Sequence, residues 1–130
     1  MTAFVDSNVL IRHLTGDPPK MARRATALIR DIDELLLPDL ILTEIIYVLE
    51  SFYEVARQEV ARLARAVLAF PSIRTIDPAL LLRAIEVYET AHLDFAEAYL
   101  VASAETAGVV DIASFDRSID RVPSVNRIEP

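Results

Sequence analysis

The sequence contains no cysteine and only two glycines in 130 residues. The absence of cysteine excludes a disulfide scaffold, thiolate metal sites and a cysteine nucleophile. The scarcity of glycine excludes a glycine-rich phosphate loop. No apolar run approaches the roughly 18 to 20 residues that span a bilayer, and the first eight residues have no cationic segment, unlike a secretory signal. We therefore expect a cytoplasmic protein with no membrane partner.

Lysine is almost absent as well, since Lys20 is the only one. The chain has 13 cationic and 20 acidic residues, for a formal net charge of −7, and a field of that sign repels phosphate backbones. Binding of nucleic acid would therefore need a local source of positive charge. Two are available: a divalent cation held by clustered carboxylates, or Arg12, Arg23, Arg24 and Arg30 gathered on one edge. Otherwise the surplus acid is a solvated surface.

The chain does contain enough apolar sequence for one buried core. Hydrophobic residues make up 53% and charged residues 25%, which predicts a single globular domain over residues 1–130. The patterning predicts short strands at residues 2–5, 34–37, 73–76, 109–113 and 125–128. It predicts helices at residues 8–14, 18–31, 39–53, 57–70, 78–91 and 93–106. This alternation indicates an α/β fold, a three-layer sandwich with a mainly parallel central sheet flanked by helices.

Acidic side chains lie where the predicted elements begin or end. Asp6 and Asp116 follow predicted strands, and Asp94 and Glu97 open a predicted helix, whose N-terminus favours negative charge. Glu44 falls within the apolar periodicity of the 39–53 helix, which predicts that it points inward. We expect these five carboxylates to converge. Two like charges about 4 Å apart repel by roughly 4 kcal/mol at an effective dielectric of 20, so such a cluster binds cations or protons.

Oxygen-only ligands select Mg²⁺ or Mn²⁺ over zinc. A site of this kind suits phosphodiester hydrolysis by a metal-activated water, with no protein nucleophile. Each carboxylate also has a structural explanation: a helix cap for Asp6, a capping box for Asp94 with Glu97, a turn for Asp116, or a surface position for Glu44. Only their joint placement carries the prediction.

Four short strings carry a resemblance to a known family: FVDSNVLIR at 4–12, LTEI at 42–45, LDFAEAYL at 93–100 and SFDR at 114–117. In this order they resemble the PIN domain, specifically the VapC-type toxins of bacterial and archaeal toxin–antitoxin pairs. The resemblance spans essentially the whole chain. It implies a Mg²⁺- or Mn²⁺-dependent ribonuclease that forms a homodimer and is inhibited by a co-expressed antitoxin.

The resemblance also implies roles for individual residues. Asp6 matches the first metal-binding aspartate of the family, and Ser7 and Asn8 match its hydroxyl-and-amide turn. Glu44 matches the glutamate on the third helix, and Asp116 matches the aspartate after the late strand.

The chain departs from the family pattern at Glu97, where the family usually has aspartate. Because glutamate is one methylene longer, two alternatives stay open: Glu97 still reaches the metal, or Asp94 takes over as the ligand. Ser114 accompanies Asp116 in the SFDR string as a supporting residue. Arg12 and the segment 20–30 are candidate contacts for RNA phosphate or for the antitoxin, with a solvated helix face as the alternative.

We therefore expect Asp6, Asp116 and either Glu97 or Asp94 to hold the metal, while Glu44 holds or orients the attacking water. The alternative function is a PIN-like binding module without nuclease activity, its cluster degraded at Glu97.

A haloacid-dehalogenase-type phosphatase is excluded for two reasons. Asn8 stands where a second aspartate is needed, and the lysine that such a phosphatase needs late in the chain is missing, since Lys20 is the only lysine. RNA and DNA both remain open as substrates, because recognition of the 2′-hydroxyl leaves no motif in the sequence.

Overall fold

The computed structural model describes residues 1–130, which form two compact units, Met1–Ile76 and Asp77–Pro130. The first unit contains β1 (Thr2–Phe4), α1 (Ser7–Thr15), α2 (Pro19–Asp31), β2 (Glu34–Leu36), α3 (Asp39–Ser51), α4 (Arg57–Ala69) and β3 (Ile73–Arg74). The second contains α5 (Pro78–Ala91), α6 (Phe95–Ala107), β4 (Asp111–Ala113), a 3₁₀ helix (Arg117–Arg121) and β5 (Asn126–Ile128). None of the helices has the length and apolar character needed to cross a bilayer.

Every strand pair is parallel. In the first unit the strand order is β1-β2-β3, with Ala3 opposite Leu35 and Leu35 opposite Ile73. In the second unit β4 pairs with β5, and Ile112 lies opposite Arg127. Parallel neighbours need crossover connections, and helices supply them here. The predicted α/β fold with parallel strands is therefore confirmed.

Local signals in the sequence set several helix ends. Gly16 closes α1 in the left-handed conformation at φ 70°, which costs glycine little because it has no Cβ. Pro19 opens α2 and Pro78 opens α5, where a missing N–H loses no helical hydrogen bond. Asp77 caps α5 by accepting the Leu80 N–H at 3.1 Å. These helix boundaries match the prediction to within one residue.

The strands differ more from the prediction. They form two sheets, one in each unit, where the sequence analysis expected one central sheet. β3 ends at Arg74 rather than at residue 76. Of the run 109–113, which was predicted as a buried strand, only Ile112 is buried, while Val109 and Val110 are exposed. A short apolar run does not by itself show which residues pair or which face is covered.

The face that α3 buries also differs from the prediction. Its buried residues are Leu42, Ile45, Ile46 and Leu49. Glu44 is exposed and forms no hydrogen bond or ion pair, so the prediction that it points into the core is wrong. Leu40 and Tyr47 are exposed as well. Because α3 carries apolar residues on nearly every side, their spacing alone did not determine which side faces the core.

The start of α3 has no side-chain cap, although aspartate is a common N-cap residue. Pro38 occupies the N-cap position, and Asp39 is the first helical residue. An acidic residue in the first turn still interacts favourably with the helix dipole. The helix therefore begins at Asp39 without a side-chain cap.

The phase of α3 can be checked by a matched pair of substitutions. Ile45→Ala should lower the free energy of unfolding by about 2–5 kcal/mol, because it opens a cavity in the core. Glu44→Gln should change it by less than about 0.5 kcal/mol, because the side chain is exposed. Urea unfolding followed by circular dichroism measures both values. Similar losses in the two variants would contradict the assigned face.

Candidate active site

In the first unit, Asp6 stands immediately after the end of the β1 ladder. The Val5 N–H still donates to the Leu36 carbonyl at 3.0 Å. Asp6 then caps α1, because its Oδ1 accepts the Ser7 N–H at 2.8 Å. The carboxylate is exposed, and its Oδ2 takes part in no hydrogen bond. The capping explanation for Asp6 is thus real, and it leaves one oxygen open to a ligand.

The other predicted residues of the first unit are not joined to Asp6. Ser7 is buried in the first turn of α1, whereas Asn8 beside it is exposed. No hydrogen bond or ion pair links Asp6 to the exposed Glu44. Arg12 is half-buried and forms no ion pair. The two predicted site carboxylates of the first unit, Asp6 and Glu44, are therefore both exposed and have no cationic partner.

In the second unit, the start of α6 carries two of the predicted carboxylates. Asp94 holds the N-cap position with extended backbone angles, but its side chain accepts no backbone N–H. The capping-box explanation for Asp94 and Glu97 is therefore excluded. Glu97 lies in the first turn and is partly buried, while Asp94 is exposed. Neither carboxylate is used to hold the helix end.

The principal contact of the site joins Glu97 to Asp116 and Ser118. Asp116 caps the 3₁₀ helix by accepting the Ser118 N–H at 2.9 Å. The Ser118 Oγ lies 2.7 Å from Asp116 Oδ1 and 2.9 Å from Glu97 Oε2. Ser114 Oγ accepts the Asp116 N–H at 3.0 Å, which supports the turn from below. Glu97 and Asp116 are thus contacted by the same hydroxyl group.

The two carboxyl groups differ in how readily they bind a proton. The contact with Asp116, burial and the charge of Asp94 raise the pKa of Glu97, although Ser118 opposes that shift. The contact with Glu97 and the two hydrogen bonds from Ser118 lower the pKa of Asp116 to about 2. Of the two groups, Glu97 therefore binds a proton at higher pH than Asp116 does.

Sequence reasoning missed Ser118. The signal that could have found it is the Asp-x-Ser spacing of residues 116–118, since aspartate commonly accepts hydrogen bonds from the backbone two residues on. Its second contact, with Glu97, spans 21 residues of sequence and has no local signature.

The donor set of this pair fits Mg²⁺ or Mn²⁺ better than zinc, because every ligand atom is an oxygen. Cations and protons compete for neighbouring carboxylates of this kind. Asp94 acts on Glu97 through its charge. The structure nevertheless groups no three His, Cys, Asp or Glu side chains closely enough to hold a metal ion. The pair by itself would therefore supply only two of the oxygen ligands that such an ion takes.

Comparisons with known proteins address the family directly. The family model described as the PIN domain matches residues 3–125. Among solved structures, VapBC2 from Rickettsia felis bound to a DNA fragment from their promoter is similar to this chain with a TM-score of 0.40 and 10% sequence identity. That match covers 99% of this chain and 98% of the other. No curated protein matches the sequence.

The hydrogen bonds of Ser118 give a prediction for the two carboxyl groups. Ser118→Ala should raise the pKa values of both Glu97 and Asp116, because the hydroxyl stabilises the ionised form of each. Carbon-detected NMR titration without metal measures both values. Ser103→Ala is the matched control, since its hydroxyl donates to the Tyr99 carbonyl. A pKa of Asp116 that stays near 2 in Ser118→Ala would contradict the assignment.

Proposed function

Because the chain belongs to the PIN-domain family, whose members are generally metal-dependent nucleases, we propose that it is a Mg²⁺- or Mn²⁺-dependent endoribonuclease. The proposal extends to a specific class, the toxin component of a type II toxin–antitoxin pair. Support for that class comes from the four sequence strings at residues 4–12, 42–45, 93–100 and 114–117.

The observation that carries the proposed reaction is the Glu97–Asp116 pair. Two neighbouring carboxylates repel each other, and a divalent cation held by both would remove that repulsion. Asp116 is ionised at neutral pH, since its pKa lies at about 2. The charge of Arg121 acts on Asp116, but no arginine or lysine is hydrogen-bonded to either carboxylate. Both carboxylates would therefore be available as oxygen ligands.

The chemistry supplied by a bound Mg²⁺ or Mn²⁺ is activation of a water molecule and neutralisation of charge on the phosphate. In our proposal Asp6, Asp116 and Glu97 hold the ion, with Asp94 as the alternative to Glu97. Ser118 and Ser114 position the Asp116 carboxylate through the hydrogen bonds described above.

The remaining roles concern water and phosphate. Glu44 holds or orients the attacking water, a role that its exposure and lack of partners leave open to it. Ser7 and Asn8 support the Asp6 turn. Arg12 contacts RNA phosphate or the antitoxin.

The first test is cleavage of RNA by the purified protein with Mg²⁺ or Mn²⁺ and with EDTA. Cleavage should require the metal. Loss of a contact that supports a metal ligand costs about 10- to 100-fold in activity. Asp6→Asn and Asp116→Asn should each lower the cleavage rate by more than that. Glu97→Gln should do the same if Glu97 is the third ligand, and Asp94→Asn if Asp94 is.

Matched controls separate these losses from general effects of removing charge. Asp111→Asn is the control in the second unit, because Asp111 contacts Asn126 and not the pair. Glu50→Gln, on the same helix as Glu44, is the control for Glu44→Gln. Cleavage that survives in both Asp6→Asn and Asp116→Asn would come from elsewhere, such as a contaminating nuclease. That outcome would refute the proposed site.

A second candidate function is a PIN-like binding module without nuclease activity. The observation in its favour is that no three metal-ligating side chains are grouped together. Calorimetry with Mn²⁺ distinguishes the two functions. Binding that is lost in Asp116→Asn supports the nuclease. An absence of binding, together with no cleavage over a panel of RNAs, supports the module.

We further propose a homodimer whose cytoplasmic partner is a co-expressed antitoxin. Exposed apolar side chains on α2, on α3 and at the C-cap of α3 support a protein partner: Met21, Leu28, Tyr47 and Phe52 are between 42% and 75% exposed.

The partner can be tested with the product of the adjacent gene. Co-expression should give a stable complex that inhibits cleavage, and Tyr47→Ser with Phe52→Ser should weaken it. Light scattering of the free protein should return twice the chain mass of 14.5 kDa. An adjacent gene product that neither binds nor inhibits would count against the antitoxin, and a mass of one chain would count against the homodimer.

A further inference from the structure

Positive charge is concentrated in one short part of this acidic chain. Residues 7–31, which form α1 and α2, contain five of the 13 cationic residues and only two of the 20 acidic ones. Four of those cations, Lys20, Arg23, Arg24 and Arg30, belong to α2. The only acidic residue of α2 is Asp31, which is its last residue. A chain with a net charge of −7 thus carries one locally basic helix.

The fold turns these cations toward solvent. α2 buries Ala22, Ala25 and Ile29 on its inner side, and all four cationic side chains of the helix are exposed. Arg23 and Arg30 are seven residues apart, which is two turns on the same side of the helix and about 10 Å along its axis. They are therefore placed to contact successive groups of an extended ligand.

Arg23 and Arg30 line a cleft of about 520 Å³ beside α2. His13 and Thr26 also line the cleft. Their side chains are hydrogen-bonded to each other, with His13 Nδ1 2.7 Å from Thr26 Oγ1. The imidazole packs edge-on against Phe70 with ring centroids 5.1 Å apart. Burial lowers the pKa of His13, so the positive charge of the cleft at neutral pH comes from the arginines.

These cations are mostly unneutralised within the protein. Lys20, Arg23 and Arg24 form no ion pair, while Arg30 is bonded by its neighbour Asp31 at 2.7 and 3.0 Å. Like charges three or four residues apart on a helix destabilise it. An anion bound at the cleft would relieve that repulsion. Guanidinium groups suit phosphate in particular, because their planar fork forms two parallel hydrogen bonds.

The chemistry of the cleft favours a nucleic-acid backbone over an acidic protein segment. Its other lining residues are Gly16, Pro19, Ala22 and Ala27, so it offers no large exposed aliphatic side chain for a peptide to anchor on. The exposed Met21 and Leu28 line a different groove, with Arg12 and Arg24. A phosphate backbone needs charge and hydrogen-bond donors but no apolar anchor.

We propose that the Arg23–Arg30 face of α2 binds the phosphate backbone of single-stranded RNA and holds the substrate at a surface separate from the carboxylates. This inference rests on the proposed ribonuclease function for the identity of the ligand. It adds a positioning surface that gives a net-acidic protein a local hold on RNA.

The test is binding of a fluorescein-labelled single-stranded RNA, measured by anisotropy in EDTA so that metal-dependent cleavage is stopped, over a series of salt concentrations. Arg23→Gln/Arg30→Gln should weaken binding. The slope of log K against log salt should become shallower by about 1.4, or about 0.7 for each lost phosphate contact to a single strand.

Two further variants serve as controls. Arg62→Gln/Arg74→Gln removes the same charge from exposed positions outside α2 and should keep most of the wild-type slope. Arg23→Lys/Arg30→Lys preserves the charge, so it should keep the slope while losing affinity through the lost bidentate geometry. Circular dichroism confirms that each variant retains its helices.

Wild-type affinity and slope in Arg23→Gln/Arg30→Gln would overturn the inference, as would an absence of RNA binding by the wild-type protein. Unchanged RNA binding with loss of binding to poly-glutamate would identify an acidic protein segment as the ligand, and would also overturn it. The two proposals fail separately. RNA binding through this face without cleavage under any metal refutes only the nuclease, whereas cleavage with unchanged binding in the variant refutes only the α2 surface.

Discussion

Parallel pairing of very short strands is the constraint on which the rest of the structure depends. Each strand has three residues or fewer, so a strand pair contributes few hydrogen bonds, and most of the stabilisation comes from the helices that connect the strands. Parallel neighbours also end at the same edge of their sheet. Asp6 follows β1 in the first unit, and Ser114 and Asp116 follow β4 in the second. The topology thereby places acidic turns after strand ends, where backbone N–H groups stabilise their negative charge.

The carboxyl pair of the second unit shows how such a turn gains chemical character. Asp116 is held by three groups of the chain, namely the Ser118 N–H, the Ser118 hydroxyl and Glu97. This environment stabilises the negative charge of Asp116, whereas the pKa of Glu97 is raised. No lysine or arginine bonds to either carboxylate, which distinguishes the pair from structural ion pairs such as Arg83 with Glu105. The difference matters because a neutralising arginine would remove the affinity for a cation.

Charge is distributed in a way that suits a protein acting on a polyanion. The chain carries a net charge of −7, which discourages non-specific attachment to nucleic acid. The cations of α2 are confined to one exposed helix face, and three of them are unpaired. RNA would then be held at a few defined contacts, so binding should depend on both salt and geometry. Under the proposed function, this arrangement would let an acidic protein act on RNA without a general basic surface.

The sequence by itself determined the class of fold and the helices to within a few residues at their ends. Its four motif strings also predicted membership of the PIN-domain family. Those features depend on short-range signals: proline at a helix start, glycine at a helix end and the period of apolar residues. Only the tertiary structure decided that Glu44 is exposed, because apolar residues on all sides of α3 allow several phases. Likewise, it decided that Ser118 bridges Asp116 and Glu97, a contact that spans 21 residues of sequence. Such contacts depend on how distant elements pack, and no local pattern of residues specifies them.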